Sequence, residues 1–192
     1  MSGELPVPSF LIIGAQKGAT RWLRMNLGEH PEVFTAASEL RFFSDPNRVE
    51  RGLDGYRAEF SGWAGEPVVG EATPSYMMPS HKPFLVAERI DRALPGVHLL
   101  ALLRNPVDRA CSAFLHHIAR GRISATADLL ARMQAPPPAE DPLELIAGGW
   151  YAKVLRPYVE RFGARLRVLL HDDLIADPET LYAQALEHVG AS

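Results

Sequence analysis

Residues 9–23 read SFLIIGAQKGATRWL and place a lysine between two glycines, directly after an apolar run. The apolar run is typical of a buried strand, and the residues from Thr20 onward are typical of a helix. A glycine turn between such elements lets backbone N–H groups face an anion, which the helix N-terminus also favours. Lys17 adds a full positive charge. With Gly14, Gly18 and Thr20, it predicts a loop that binds phosphate or a similar anion.

The order of these residues differs from that of the ATP-type phosphate loop. The ATP-type loop reads G-x-x-x-x-G-K-[ST], with the lysine after the second glycine. Here Lys17 precedes Gly18. The stretch therefore favours an anion site in a protein other than an ATPase or GTPase. From this loop alone, a glycine turn with a solvated lysine is an open alternative.

A second apolar run, residues 98–103, ends at an arginine. An arginine in that position needs an anionic partner, because burying an unpaired charge is costly. Asn105 and Pro106 then suit the N-cap and first position of a helix. Arg109, Ser112 and His116 lie on one face of that helix. Arg104 is thus a candidate anion ligand. Arg109 and His116 could equally well belong to the binding site or be ordinary polar residues of a helix surface.

The elements that position these residues alternate between strands and helices. Short continuous apolar runs predict buried strands at 10–14, 68–71, 98–103 and 166–171. Helical patterns cover 20–28, 83–94, 107–118, 151–162 and 178–189. This alternation predicts a three-layer α/β/α domain with a central parallel sheet. Residues 34–66 show no clear period and predict a long functional loop with short helical turns. Residues 135–142, APPPAEDP, predict a rigid linker.

Composition restricts the class of protein. The chain has 192 residues, which suits one domain, and its net charge of -3 gives no general attraction to nucleic acid or anionic membrane. The single cysteine, Cys111, excludes a disulfide framework, and no His/Cys/Asp cluster suggests a metal. The N-terminal residues do not form a signal peptide, and no apolar run is long enough to span a membrane. We expect a cytoplasmic protein, and the richness in Ala, Arg and Pro suggests a bacterial source.

Further stretches match a known family in the same order: HPEVFTAASELRFF, GEATPSYM, LLRNPVDRACSAFLHH and GWYAKVLRPYVERFG. Together with the first loop, they resemble sulfotransferases that use 3′-phosphoadenosine 5′-phosphosulfate (PAPS). The branch that sulfates heparan-type glycans, with its bacterial relatives, is the most similar. The resemblance runs from residue 10 to about residue 190. It implies a P-loop-like phosphosulfate loop and PAPS as co-substrate, with no metal.

The resemblance also implies roles for individual residues. Lys17 would contact the bridging oxygen of the phosphosulfate, and Glu39 in SELRFF would be the catalytic base. Taken alone, Glu39 also suits an ordinary surface position. The 5′ end of the nucleotide would be held by Gly18, Ala19, Thr20 and Arg21, the 3′-phosphate by Arg104 and Ser112, and the acceptor by Arg41, Thr73, Tyr76 and His116. Ala19 stands where relatives often have glycine, which is tolerable if its backbone angle is ordinary.

Some positions depart from the family pattern. Arg41 replaces a common histidine, and Ala72 replaces a lysine, which argues against a polyanionic glycan as acceptor. The chain reaches Ser192 without a segment resembling the family's C-terminal nucleotide-covering loop. We expect either a fragment or a nucleotide site open on one side.

The sequence thus predicts a single sulfotransferase domain over residues 1–192. The acceptor would be a hydroxyl of a carbohydrate, lipid or secondary metabolite, with an amine as second choice. We expect a small-molecule or glycan partner and no nucleic acid, and the oligomeric state is open. Two other classes compete with this interpretation. One is a nucleotide kinase, disfavoured by the lysine order and the absence of a recognisable Mg²⁺-binding acidic residue. The other is a non-catalytic nucleotide-binding module.

Overall fold

The centre of the molecule is a parallel sheet. In the computed structural model, which describes residues 4–134 and 141–192, its strands pair in the order β2-β3-β1-β4-β5. The strands are β1 Phe10–Gly14, β2 Val33–Thr35, β3 Val68–Ala72, β4 His98–Leu103 and β5 Leu166–Leu170. β1 is fully buried along its length and pairs with both β3 and β4. A continuous apolar run suits this position because both of its faces are covered.

Helices cover both faces of the sheet. They are α1 Thr20–Gly28, α2 Pro46–Glu50, α3 Gly52–Arg57, α4 Pro83–Ala93, α5 Pro106–Ala119, α6 Leu129–Gln134, α7 Tyr151–Phe162, α8 His171–Ala176 and α9 Pro178–Val189. One apolar core joins the sheet to α4 and α7, and another joins it to α1 and α9. The predicted three-layer α/β/α fold with a central parallel sheet is confirmed.

The sequence patterns located most of these elements. Residues 10–14, 98–103, 20–28, 151–162 and 178–189 form the predicted strands and helices with the predicted bounds. Short helices occupy much of residues 34–66, as expected. Residues 135–140 of the predicted linker lie outside the described residues.

Two details of the sheet differ from the sequence prediction. The strand β2 was not predicted, because three residues are too few to show a period. The strand β5 was predicted to be buried, but Val168 and Leu170 are 41% and 49% exposed. β5 lies at an edge of the sheet and pairs only with β4 among the described strands. An edge strand has a neighbour on one side only, which explains this exposure.

The connections create a crevice between the ends of β1 and β4. After β1 the chain crosses through α1 to β2 on one side, and after β4 it crosses to β5 on the other side. Open α/β sheets bind ligands at such a switch point, beyond the carboxyl ends of the strands. The loop that contains Lys17 follows β1, and Arg104 follows β4. The topology therefore brings both predicted anion ligands to the same crevice.

Across the described ranges, every helix is too short or too polar to cross a lipid bilayer.

Candidate active site

The loop after β1 packs against the end of β4. The Ala15 amide donates to the Leu102 carbonyl at 2.9 Å, and the Gly18 amide donates to the Ala15 carbonyl at 2.9 Å. A side chain at Gly18 would collide with the same Leu102 carbonyl. Glycine is therefore required here by the close approach of two backbones. This contact fixes the loop to the neighbouring strand.

Two residues of this loop adopt left-handed backbone conformations. Lys17 has a φ of 68° and Ala19 a φ of 71°. The backbone angle of Ala19 is therefore not the ordinary one under which a methyl group was expected to be tolerable. A left-handed residue with a Cβ costs roughly 1–2 kcal/mol. This position suits the glycine that many relatives have.

The N-terminus of α1 presents unbonded amides to the crevice. Ala19 is its N-cap, no side chain of the described residues caps it, and the first amide bonded to the N-cap carbonyl is that of Leu23. The amides of Thr20, Arg21 and Trp22 accordingly donate to no acceptor in the described ranges. Such amides, together with the positive end of the helix dipole, form an anion site. Lys17 lies beside them in the same loop.

Arg104 provides a second positive site at the end of β4. Its Nε is buried without a hydrogen-bond partner in residues 4–134 and 141–192, and no ion pair there includes its guanidinium. Its carbonyl accepts a hydrogen bond from the Tyr151 hydroxyl at 2.8 Å. The next residue, Asn105, caps α5 by accepting from the Val107 amide at 2.9 Å. The predicted cap is thus confirmed, and half-buried Ser112 lies on this helix.

Arg109 does not join this site. It is 1% exposed and donates through Nη2 to the carbonyls of Glu144 and Leu145. Gly148 lies close enough to its guanidinium that a side chain there would crowd it. Arg109 therefore holds the segment before α7 against α5. The interpretation of Arg109 as an ordinary helix-surface residue is therefore wrong, because its side chain is buried and bonded to backbone carbonyls.

Glu39 lies on the segment that follows β2 and is exposed. Its Oε2 pairs with Nη2 of Arg41 at 3.2 Å, and both side chains are largely accessible. Glu39 lines two clefts. The first, about 250 Å³, is lined by Arg21 and Arg24 of α1, and the second, about 210 Å³, by Gln16, Arg41 and other residues.

The electrostatics of His116 link Glu39 to the anion loop. Burial lowers the pKa of the His116 imidazole, and the positive charges of Lys17, Arg120 and Arg122 lower it further. The Glu39 carboxylate raises the same pKa. The charges of both Lys17 and Glu39 therefore act on one imidazole. His116 therefore lies within the electrostatic influence of both the predicted loop lysine and the predicted base.

Thr73 and Tyr76, two of the predicted acceptor-binding residues, do not reach the clefts with their side chains. Both are 0% exposed. Their hydroxyls donate to the buried carboxylate of Glu71, each at 2.6 Å. Arg41 is the predicted acceptor residue that lines a cleft directly. Direct acceptor contact by Thr73 or Tyr76 stays a prediction that this arrangement does not favour.

Sequence reasoning did not identify several residues that line the clefts around Glu39: Gln16, Arg24, His81, His117, Arg122 and Glu144. Gln16 is adjacent to Lys17, and His117 ends the quoted stretch LLRNPVDRACSAFLHH, so both positions could have been found from their neighbours. The others lie outside the quoted stretches. His117 is 3% exposed, and neither of its ring nitrogens has a partner among the described residues.

The chain is an α/β protein with a doubly wound parallel sheet, and the strand–loop–helix unit of β1 and α1 lies at the switch point of that sheet. No protein-family model matches the chain. It is 29% identical over 177 residues to human heparan sulfate glucosamine 3-O-sulfotransferase 6, which covers 92% of the chain and 50% of that protein. It is 32% identical over 108 residues to mouse heparan sulfate glucosamine 3-O-sulfotransferase 5, covering 56% of the chain and 30% of that protein.

Solved structures extend the comparison. A sulfotransferase from Alicyclobacillus acidocaldarius superimposes with a TM-score of 0.83 at 29% identity, covering 97% of this chain and 82% of that one. The sulfotransferase domain from the curacin biosynthetic pathway has a TM-score of 0.63 at 14% identity, covering 99% and 76%, and shows the fold alone. The chain is thus a relative of sulfotransferases, and the resemblance predicted from its sequence is confirmed. It spans about half the length of the curated relatives it matches.

Proposed function

We propose that this chain is a sulfotransferase that moves a sulfuryl group from PAPS to a hydroxyl of an acceptor molecule. The observation that carries the proposal is the pair of positive sites in one crevice. The loop of Lys17 and the amides of α1 follow β1. Arg104, which has no ion-pair partner in the part of the chain that the structure describes, follows the neighbouring strand β4. A nucleotide with a 5′-phosphosulfate and a separate 3′-phosphate needs two such sites. Relationship to sulfotransferases supports the same assignment.

The residues of the crevice suit the steps of the transfer. Lys17, with the amides of Thr20 and Arg21, would stabilise charge on the oxygen that joins sulfur to the 5′-phosphate. That S–O bond breaks as the acceptor oxygen forms a new bond to sulfur, and adenosine 3′,5′-bisphosphate leaves. Glu39 would take the proton of the acceptor hydroxyl. Arg104 and Ser112 would hold the 3′-phosphate and so fix the orientation of the nucleotide.

The surroundings of Glu39 suit an acceptor that extends to both sides of the reacting hydroxyl. One cleft contains Arg21 and Arg24, and the other contains Arg41 and Arg122. The related heparan sulfate enzymes act on a carbohydrate according to their names. We therefore favour a carbohydrate hydroxyl, with a lipid or secondary metabolite as other candidates. The chain would act without a metal ion and as a cytoplasmic, bacterial enzyme.

Nucleotide titration tests the proposal against the kinase alternative. We expect adenosine 3′,5′-bisphosphate to bind more tightly than ADP, with or without Mg²⁺, since only the bisphosphate fills both positive sites. Tighter binding of ADP would favour a kinase instead. Sulfate transfer from radiolabelled PAPS to a panel of polysaccharides, glycolipids and phenols then separates an enzyme from a binding module. Tight bisphosphate binding without transfer to any acceptor would support the binding module.

A substitution of Glu39 tests the assignment of the base. Glu39→Gln keeps the shape of the side chain and removes its ability to accept a proton. We expect turnover to fall by about 10² to 10⁴ while the bisphosphate binds with near-normal affinity. Glu88→Gln is the matched control, because Glu88 is a carboxylate of α4 that pairs with Arg92 and lines neither cleft. Parental turnover in Glu39→Gln would place the base elsewhere, with His116 as the next candidate.

A further inference from the structure

A fully buried carboxylate lies beneath the segment that contains Glu39. Glu71, at the end of β3, is 0% exposed and has no ion-pair partner in the described ranges. The Tyr56 and Tyr76 hydroxyls donate to its Oε1 at 3.1 and 2.6 Å, and the Thr73 hydroxyl donates to its Oε2 at 2.6 Å. Burying such a group is costly unless hydrogen bonds compensate it, and here they do.

Two of these hydroxyls also accept backbone amides from residues 40–43. The Arg41 amide donates to Thr73 Oγ1 at 3.1 Å, and the Phe43 amide donates to the Tyr76 hydroxyl at 3.4 Å. Two amides of this short segment are therefore linked to one carboxylate, each through a single hydroxyl. Glu39 immediately precedes the segment.

Residues 40–43 depend on these side chains because they belong to no helix or strand. Arg41 has a left-handed φ of 54°, which regular structure would not accommodate. Buried backbone groups outside regular structure must find side-chain partners. The carbonyls of Leu40 and Phe43 accept from the guanidiniums of Arg48 and Arg89, at 2.8 and 2.9 Å.

We propose that Glu71 is a positioning residue for the base of the transfer reaction. Glu71 holds the amides of Arg41 and Phe43 through the hydroxyls of Thr73 and Tyr76. These links fix the position of Glu39 relative to the Lys17 loop. This inference rests on the proposed function. Burial raises the pKa of the Glu71 carboxyl, and the hydroxyl donors act against that rise. Glu71 contacts neither nucleotide nor acceptor in this arrangement and acts only through the segment.

The cluster contains its own matched control. Tyr56 donates to the same Oε1 of Glu71, and its ring stacks on Phe42 with centroids 4.4 Å apart. Its hydroxyl accepts no amide from residues 40–43 in the described structure. Tyr56→Phe therefore removes one donor to Glu71 and leaves the links to the segment. Tyr76→Phe and Thr73→Val each remove a donor and a link.

Amide hydrogen exchange measures the links without reference to activity. We expect the Arg41 amide to exchange at least about 10-fold faster in Thr73→Val, and the Phe43 amide similarly faster in Tyr76→Phe. In Tyr56→Phe both amides should exchange within about two-fold of the parent rate, because their acceptors remain. Equal acceleration in all three variants would show that the cluster stabilises the fold in general, and would overturn the inference.

Sulfate transfer then tests the consequence for the base. We expect Thr73→Val and Tyr76→Phe to reduce turnover by about 10- to 100-fold, a range typical of a displaced catalytic group, with bisphosphate affinity retained. Tyr56→Phe should retain turnover within about two-fold. In a Glu39→Gln background, Thr73→Val should reduce the residual rate no further, since its effect passes through Glu39.

The outcomes separate the inference from the proposed function. An active parent whose Thr73→Val variant keeps full turnover would overturn the inference alone. The same would follow if Thr73→Val reduced turnover by the same factor in the parent and in the Glu39→Gln background. A parent that transfers no sulfate to any acceptor would overturn the proposed function, and this inference with it.

Discussion

Single residues in the crevice differ in when they act. The amides of α1 are fixed by the fold, and in the proposed function they would face the anion at every stage. Lys17 has a left-handed backbone conformation. Charge on the leaving oxygen grows only as the sulfuryl bond breaks, so a lysine beside that oxygen acts mainly in the transition state. In the proposed function Arg104 would instead bind the 3′-phosphate, whose charge does not change during transfer.

For Lys17→Ala we expect a loss of turnover that exceeds the loss of nucleotide affinity. Turnover should fall by about 10² to 10³, as for removal of one donor to a developing oxyanion. Alanine and lysine both have a Cβ, so the left-handed backbone is equally strained in the two proteins. Steady-state transfer rates and titration with adenosine 3′,5′-bisphosphate measure the two effects. Weakened binding with unchanged turnover would assign Lys17 to simple ground-state binding.

For Arg104→Ala we expect the opposite pattern. A charge-assisted hydrogen bond to the 3′-phosphate contributes roughly 1.5–3 kcal/mol. The variant should therefore bind adenosine 3′,5′-bisphosphate at least about 10-fold more weakly and bind AMP nearly as well as the parent. Arg92→Ala is the control, because Arg92 is an exposed arginine paired with Glu88. An equal loss of affinity for both nucleotides would remove Arg104 from this role.

At the scale of elements, the loop between β1 and α1 is under two opposite constraints. Gly18 is required because a Cβ would meet the Leu102 carbonyl. Ala19 has a left-handed φ of 71° that glycine would adopt without strain. Substitutions at these two neighbouring residues should therefore change the free energy of unfolding in opposite directions. The loop tolerates backbone strain at Ala19 but no added volume at Gly18.

We expect Gly18→Ala to lower the free energy of unfolding by about 1–3 kcal/mol, the usual cost of forcing extra volume into a packed contact. Ala19→Gly should change it by between zero and about +1 kcal/mol, because relief of left-handed strain is partly offset by the greater freedom of glycine in the unfolded chain. Urea denaturation of the two variants beside the parent measures both values. A stable Gly18→Ala protein would show that the loop can move away from β4.

Local patterns predicted the elements that are long or strongly marked. The buried run of β1 with its glycine turn, and the Asn-Pro start of α5, carry their signals within a few residues. β2 was missed, because Val33–Thr35 is defined by its pairing with Val68–Gly70, more than thirty residues away. The Glu71 cluster was missed as a unit for the same reason. Glu71 lies in the quoted stretch GEATPSYM, yet its bond to Tyr56 and its links to the Glu39 segment through Thr73 and Tyr76 exist only in the fold.

At the scale of the whole molecule, stability depends on imidazoles enclosed by the fold. His188 on α9 lies between the sheet and the turn before β5, where Nε2 is 3.1 Å from the carbonyls of Leu99 and Arg165. A neutral ring with its proton on Nε2 suits these two acceptors. Its ring meets that of His98 edge to face, with centroids 5.0 Å apart. A charged His188 would therefore lie beside a second imidazole in a site that is only partly open to water.

We accordingly expect the free energy of unfolding to fall between pH 8 and pH 5.5, in part through His188. Burial lowers the pKa of His188 in the folded state, the carbonyl of Arg165 acts against this, and the neighbouring His98 and Arg167 lower it further. As the pH falls through the ordinary histidine range near 6.5, the unfolded chain takes up the proton more readily, so unfolding becomes easier.

The variant His188→Gln keeps a hydrogen-bond donor and cannot be charged. Its free energy of unfolding should therefore fall less than that of the parent between pH 8 and pH 5.5. The difference between the two proteins should be less than about 1 kcal/mol, because the ring of His188 is partly solvated. Urea denaturation of both proteins at pH 8, 6.5 and 5.5 measures the difference, with pH 8 as the common reference. Parallel curves for the two proteins would exclude His188 from the acid sensitivity of the fold.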